Sequence, residues 1–228
     1  MTKADAFAFR PSAYTALVLR QVLAHGPRIA GGRVLDIGCG SGVLLAAAAD
    51  MGAGALCGVD IEPAAVQETA RLLGALTTAA RVEALHGSLY APVAGRHFDV
   101  ILANLPHFPM DHAAIDARLS SWSDGGDSGR RLLDPVLAGL GAHLAPGGLA
   151  IVAHNAFVGL EATQDIASAQ GLTARVIDAM TVPIAPEKLG HMTVEVLDRE
   201  MGRSLHRHGG HVFAEVLALA IEHAGDGT

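Results

Sequence analysis

The sequence predicts an α/β protein whose core is a doubly wound, mostly parallel sheet of seven strands, closed by an antiparallel edge hairpin. Two observations carry this prediction: short apolar runs alternate with helical patterns, and the first apolar run leads directly into a glycine-rich loop. Strands that alternate with helices of this length need crossover connections, which give parallel pairing with helices on both faces. A chain of 228 residues with 50% hydrophobic side chains can fill such a core.

The elements follow from the periodicity of the apolar residues, taken in chain order. Helical patterns predict helices at 12–24, 42–51, 63–76, 130–143 and 159–169. Short apolar runs predict strands at 33–37, 55–60, 81–85, 98–102, 149–153, 173–181 and 192–198. The last two runs are separated by Pro183 and Pro186, so we expect them to form the edge hairpin. Residues 211–223 have the spacing of an amphipathic helix.

Composition limits the class of protein. A net charge of −7 argues against a broad nucleic-acid surface, which relies on clustered Lys and Arg. Apolar runs end long before the ~20 residues of a membrane span, and nothing predicts a signal peptide, so we expect a cytoplasmic protein. The two cysteines and the three histidines at 206, 208 and 211 lack metal-type spacing, so no metal is expected. The apolar content also allows a homodimer face.

The glycine loop carries the first functional signal. The first predicted strand is followed by Gly38, Gly40 and Gly42, at the sheet edge where ligands of open parallel sheets bind. Asp60 ends the next strand, where a carboxylate can accept both hydroxyls of a ribose. A dinucleotide fingerprint requires glycine where this chain has Val43, which argues against a pyrophosphate ligand and a dinucleotide oxidoreductase.

A second signal follows the predicted strand at 98–102. The chain continues Ala103-Asn104-Leu105-Pro106-His107-Phe108-Pro109. An asparagine followed by proline is also a common way to close a turn, so this pattern alone leaves a purely structural role open. Its position at a strand's carboxyl end, after the glycine and acid loops, favours function.

Together these motifs resemble two signatures of class I S-adenosylmethionine-dependent methyltransferases. Asp36 and the glycines resemble the first motif of that class. Residues 104–108 resemble the Asn-Pro-Pro-Tyr or Asn-Pro-Pro-Phe motif of nitrogen-methylating enzymes, including release-factor glutamine methyltransferases and small-domain methyltransferases of ribosomal RNA. An Arg-Pro stretch at 10–15 and an Asp-Gly-Gly stretch at 122–130 extend the resemblance to about residues 10–198. It implies a Rossmann-like fold and S-adenosylmethionine as the cofactor.

The resemblance also implies a set of cofactor-binding residues. It assigns the acid and the loop to the amino-acid end of the cofactor, Asp60 to the ribose, and a loop residue to the adenine amino group. Ser88 stands where the family often has an acid, and a hydroxyl accepts more weakly than a carboxylate; an ordinary turn serine is the alternative. The expected cofactor-binding residues are Asp36, Gly38, Gly40, Gly42, Asp60, Ile61, Ser88, Leu89 and Asn104.

The expected catalytic residues are those of the second motif. The resemblance implies that the Asn104 side-chain oxygen and the Leu105 carbonyl accept hydrogen bonds from the target nitrogen, and that Pro106 stiffens the turn. Leu105 replaces the family's first proline, although its carbonyl is retained. His107 replaces the family's aromatic residue, and an imidazole can stack on a planar group or take up a proton, which would admit an amine substrate.

These inferences predict an S-adenosylmethionine-dependent N-methyltransferase acting on a small molecule or peptide. The alternatives are a protein or ribosomal RNA N-methyltransferase, and a nucleotide-binding module without catalysis. We expect an N-terminal helical segment over the cofactor site at 1–30, a catalytic domain at 31–200, and a C-terminal tail and helix at 201–228. Residues 110–127, with glycine hinges at 125 and 126, form either a lid or a surface insertion.

Overall fold

Eight strands and eight helices make up the part of the chain that the computed structural model describes, residues 11–76, 80–111 and 124–225. The strands are β1 (Arg33–Ile37), β2 (Ala55–Asp60), β3 (Arg81–His86), β4 (Phe98–Ala103), β5 (Leu144–Asn155), β6 (Leu172–Ile184), β7 (Leu205–His208) and β8 (His211–His223). The helices are α1 (Ala13–Ala24), α2 (Gly26–Ile29), α3 (Val43–Asp50), α4 (Pro63–Gly74), α5 (Leu133–His143), α6 (Leu160–Ser168), α7 (Pro186–Gly190) and α8 (Val194–Glu200).

One sheet holds all of these strands, in the order β3-β2-β1-β4-β5-β8-β6, with the short β7 paired to β8. The pairs among β1 to β5 are parallel, whereas β8 runs antiparallel to β5, β6 and β7. The prediction of a doubly wound, mostly parallel sheet with an antiparallel edge is therefore confirmed, although the sheet has eight strands where the sequence predicts seven. The parallel pairing brings the carboxyl ends of β1, β2 and β4 to one edge, where the predicted site residues lie.

The core strands bury apolar side chains on both faces of the sheet. Successive side chains point to opposite faces, so Val34 belongs to the cluster that packs with α1 and α3, and Leu35 to the cluster that packs with α5. Both residues are fully buried. Because helices cover both faces, the buried positions of β1 and β4 are hydrophobic on both sides of the sheet, with Asp36 as the buried exception.

Two element predictions at the carboxyl-terminal side are wrong. Residues 211–223, predicted as a helix, form β8, which lies between β5 and β6 with both faces buried. A strand covered on both faces lacks alternation, so its apolar run resembles a buried helix. Residues 192–198, predicted as a strand, largely form α8, and the partner of β6 is β8.

The hairpin predicted from those two runs is accordingly formed by other residues. It joins β7 to β8 through Gly209 and Gly210, with Gly209 at φ +59. A two-residue turn of this kind needs positive φ, which glycine supplies at little cost. Within the described ranges, no helix is long and apolar enough to cross a membrane.

Candidate active site

The glycine loop connects β1 to α3 at the carboxyl edge of the sheet. Gly38, Gly40 and Gly42 have φ values of +74, +52 and +76, a region that side chains with a Cβ rarely adopt. A Cβ at Gly38 would lie 2.8 Å from Leu105 Cδ2, so glycine also permits the close contact with the loop after β4. The loop that should hold the cofactor and the loop that should hold the substrate thus touch at Gly38.

Asp60 fastens this loop at the end of β2. Its Oδ2 accepts a hydrogen bond from the Gly40 N–H at 2.9 Å, and its Oδ1 accepts one from the Glu62 N–H at 2.9 Å. Each carboxylate oxygen has a second lone pair, so both can still accept a further donor. The neighbouring Ile61 is 60% exposed and offers an apolar surface beside the carboxylate.

Asp36 is a buried carboxyl group that lacks a full set of partners. It is 1% exposed, and its Oδ1 has no hydrogen-bond partner among the described residues. Burial, followed by the charge of Asp60, raises the pKa of Asp36 to about 8. A cationic group arriving at Oδ1 would supply the missing donor and favour ionisation, so the amino group of S-adenosylmethionine fits this position.

The loop after β3 lies beside Asp60. The Gly87 N–H donates to the Asp60 carbonyl at 2.9 Å, and His86 Nε2 lies 3.0 Å from the Ile61 carbonyl. Leu89 has φ +49, the one positive φ among the described non-glycine residues, and this strained conformation follows the exposed Ser88. The structure therefore brings the expected adenine-side residues next to the expected ribose-side residues.

Asn104 lies directly after β4, and its side chain is oriented by α1. Its Nδ2 donates to Thr15 Oγ1 at 3.2 Å. Thr15 Oγ1 also accepts from the Ser12 N–H at 3.1 Å, as part of the capping box that begins α1. Because Thr15 takes the Nδ2 end of the amide, the Oδ1 end has no partner in the described structure and is available as an acceptor.

His107 does not occupy the exposed position that a stacking ring requires. It is 3% exposed, and its Nδ1 lies 2.5 Å from the Leu105 carbonyl. Burial lowers the pKa of His107 to about 4, since the hydrogen bond to Leu105 offsets only part of the desolvation. Neither a ring stacked on the substrate nor a base that titrates near neutral pH matches this placement. Pro106, by contrast, is half-buried in the turn.

The sequence prediction missed two residues that hold this loop from behind. Tyr14 Oη donates to Asn155 Oδ1 at 2.8 Å, and Asn155 Nδ2 donates to the His107 carbonyl at 3.3 Å. Burial raises the pKa of Tyr14 to about 12, so the phenol stays neutral. These contacts join residues separated by 141 and 48 positions, which no local motif could indicate.

The predicted glycine hinges are part of a tight contact with the same loop. The Gly125 N–H donates to the Phe108 carbonyl at 2.8 Å, and the Met110 N–H donates to the Gly126 carbonyl at 3.1 Å. A Cβ at Gly125 would lie 2.7 Å from His107 Cα. These glycines therefore permit close packing against the loop after β4. Residues 112–123 of the predicted lid lie outside the described residues.

No group of three or more metal-ligating side chains is placed to hold an ion in the described ranges.

Comparisons with known proteins show that this chain is similar to methyltransferases. The sequence model of the ribosomal protein L11 methyltransferase (PrmA) family matches residues 15–117. The fold is shared with a ribosomal protein L11 methylase from Lactobacillus delbrueckii subsp. bulgaricus, at a TM-score of 0.56 and 20% identity, over 96% of this chain and 83% of that one.

Two curated relatives are more similar in sequence. A release factor glutamine methyltransferase from Rhodospirillum rubrum is 39% identical over 132 residues, which cover 54% of this chain and 39% of the relative. The "Putative protein N5-glutamine methyltransferase" of Methanocaldococcus jannaschii is 32% identical over 154 residues, which cover 66% of this chain and 75% of the relative. The chain belongs to the family of this archaeal relative, and is thus a class I S-adenosylmethionine-dependent methyltransferase.

Proposed function

We propose that this enzyme methylates a side-chain nitrogen of a protein, and that the primary amide of glutamine is the first substrate to test. The observation that carries the proposal is the orientation of Asn104, whose Nδ2 is held by Thr15 while Oδ1 remains free. A primary amide presents two N–H groups, and the Asn104 Oδ1 and the Leu105 carbonyl are two neighbouring acceptors. The names of the Methanocaldococcus and Rhodospirillum relatives support this substrate class.

These relatives favour a protein substrate over the small molecule that the sequence alone favoured. The match covers 39% of the Rhodospirillum enzyme, so the similarity concerns that part of the enzyme alone. A ribosomal RNA substrate is disfavoured by the net charge of −7, because binding to phosphates depends on an excess of Lys and Arg. A protein nitrogen is therefore the substrate that we propose.

The proposed cofactor site uses the residues at the ends of β1, β2 and β3. When bound, S-adenosylmethionine would supply an activated methyl group: a C–N bond would form as the C–S bond breaks, the sulfur would leave as the neutral thioether of S-adenosylhomocysteine, and the proton of the nitrogen would pass to water. Asp36 would accept from the amino group, and Asp60 would accept from the ribose hydroxyls. Ile61 and Leu89 would contact the adenine, and the glycines let the backbone approach without a Cβ.

The proposed catalytic contribution of the protein is positioning. Two acceptors that hold both N–H groups fix the plane of the amide and direct its π face, where the nitrogen electrons are available, to one side. Such orientation removes translational and rotational freedom before reaction, which can account for several kcal/mol of the barrier. The asparagine and the backbone carbonyl are neutral, so they accept N–H groups without first giving up a proton.

The test uses purified enzyme, methyl-labelled S-adenosylmethionine and two synthetic peptides that differ at one residue. One peptide contains glutamine, and the matched peptide contains glutamate, whose side chain has nearly the same shape but carries no N–H group. We expect one labelled methyl group on the glutamine nitrogen, located by fragment mass spectrometry, and none on the glutamate peptide. Labelling of small amines with no labelling of the glutamine peptide would overturn the proposed substrate class.

A further inference from the structure

The hydrogen bond within the loop after β4 defines the state of the His107 ring. Nδ1 and the Leu105 oxygen are 2.5 Å apart, and the oxygen is only an acceptor. If Nδ1 carried no hydrogen, two lone pairs would face each other at that distance, which is repulsive. Nδ1 therefore carries the hydrogen and donates it. Nε2 is buried without a partner among the described residues, so a neutral ring with a bare Nε2 leaves no orphaned donor.

His107 is 3% exposed, and residues of α1, of β5 and of the loop at Gly125 pack around it. Tyr14 of α1 contacts it edge-on, with centroids 5.7 Å apart and an interplanar angle of 79°. His154 of β5 lies 6.5 Å away, and Asn155 of β5 holds the His107 carbonyl. Gly125 packs against the His107 backbone, where a Cβ would lie 2.7 Å from His107 Cα. A side chain locked in this way can fix the group that it bonds.

The group that it bonds is the second acceptor for the substrate in the proposed function. The Leu105 side chain is 8% exposed and lies against Gly38, so the residue is fixed at its side chain by the cofactor loop. Among the described residues, the hydrogen-bond partner of the Leu105 carbonyl is His107. One lone pair of the oxygen is taken by His107, which leaves one for a substrate N–H.

We propose that His107 is a positioning residue that orients the Leu105 carbonyl through its Nδ1–H so that this oxygen accepts one N–H of the substrate nitrogen. This inference rests on the proposed function for the role of the Leu105 oxygen. The position that provides an aromatic ring in the Asn-Pro-Pro-Tyr motif here provides a buried hydrogen-bond donor. His107 acts through Leu105 and does not itself touch the substrate.

The first test needs no substrate. Full-length protein labelled with ¹⁵N-histidine is examined by long-range ¹H–¹⁵N correlation at pH 7, and the His107 signal is identified by its loss in His107→Phe. We expect a neutral ring with a protonated Nδ1 and a bare Nε2. A ring protonated at Nε2, or at both nitrogens, would overturn the hydrogen bond and with it the proposal, whatever the substrate is.

The second test compares three substitutions in transfer to the glutamine peptide. His107→Asn keeps a donor near the position of Nδ1, His107→Gln moves the amide one carbon further, and His107→Phe keeps a ring but has no donor. We expect kcat to fall about tenfold or more in the Phe and Gln variants, because small misplacements of a positioned group reduce rates on this scale, and to stay within about threefold in the Asn variant. Binding of S-adenosylhomocysteine should be unchanged in all three, as a check on folding.

The pattern of outcomes separates this inference from the proposed function. Full kcat in His107→Phe, or equal losses in the Asn and Phe variants, would overturn the positioning role while the substrate assignment stands. If the wild-type enzyme does not methylate the glutamine peptide, the substrate assignment fails. The ¹⁵N experiment then still decides whether His107 holds the Leu105 carbonyl.

Discussion

Replacing Thr15 by valine tests whether α1 orients the acceptor amide of Asn104. Valine keeps the shape of threonine and removes Oγ1, which accepts from Asn104 Nδ2 at 3.2 Å and from the Ser12 N–H at 3.1 Å. A hydrogen bond of this kind contributes about 1–1.5 kcal/mol net, and it forms only when Oδ1 points away from α1. Without that bias the two amide orientations become about equally populated, since ~1.4 kcal/mol is a factor of ten in their ratio. The productive fraction then falls from roughly nine-tenths to about one half, and kcat should fall about twofold.

The same substitution should also lower stability, so a control is needed. Two lost hydrogen bonds correspond to about 2–3 kcal/mol of unfolding free energy, and each kcal/mol to about 2–4 °C in Tm. Ser12→Ala is the matched control, because Ser12 Oγ belongs to the same capping box but does not contact Asn104. It should cost about 1 kcal/mol and leave kcat unchanged. The assays are methyl transfer to the glutamine peptide and thermal unfolding. An unchanged kcat in Thr15→Val, or an equal loss in Ser12→Ala, would refute the orientation by α1.

Three further predictions concern the cofactor site. Because the pKa of Asp36 is about 8, the carboxyl is mostly protonated at pH 7, and binding of the cationic amino group of S-adenosylhomocysteine should release close to one proton. The enthalpy of binding measured by calorimetry should then depend on the ionisation enthalpy of the buffer in the wild type and not in Asp36→Asn. A binding enthalpy that is the same in all buffers for the wild type would contradict this. Gly38→Ala places a Cβ 2.8 Å from Leu105 Cδ2 at φ +74, whereas Gly147→Ala at φ +69 meets nothing within 4 Å. Both should lose about 1–3 kcal/mol in urea unfolding, with the larger loss at Gly38, and equal losses would exclude the contact. Asp60→Ala should weaken the binding of S-adenosylhomocysteine by about 1.5–3 kcal/mol. Asp99→Ala, near the amino-terminal end of β4 and thus at the other edge of the sheet, should leave binding unchanged. An unchanged affinity in Asp60→Ala would exclude Asp60 from the cofactor site.

The parallel core could be predicted from the sequence because local periodicity and burial agree there. Strands β1, β2 and β4 read as short apolar runs between glycine, charge and proline signals, and crossover rules then give parallel pairing. Strand β8 could not be distinguished in this way. It is buried on both faces between β5 and β6, so the run 216–221 satisfies the period of a helix as well as that of a central strand.

The candidate site was predictable at its loops and not at the contacts that support them. Asp36 is the second-last residue of β1, Asp60 ends β2 and Asn104 directly follows β4, so position along the chain was enough to indicate them. The orientation of Asn104 depends on Thr15, 89 residues earlier, and only the packing of α1 on the sheet brings them together. The burial of His107 likewise depends on Tyr14 and on β5. Distant contacts of this kind leave no spacing in the sequence.

Single-turnover methyl transfer by the wild type and Asn104→Ala, each saturated with S-adenosylmethionine and the glutamine peptide, tests the role of Asn104 in the reaction. The proposed mechanism has Asn104 Oδ1 hold the nitrogen that receives the methyl group. It predicts a rate about 10²-fold lower or more in Asn104→Ala, the usual loss when a preorganised hydrogen-bonding group is removed, with unchanged binding of S-adenosylhomocysteine. Equal single-turnover rates in the two proteins would contradict it.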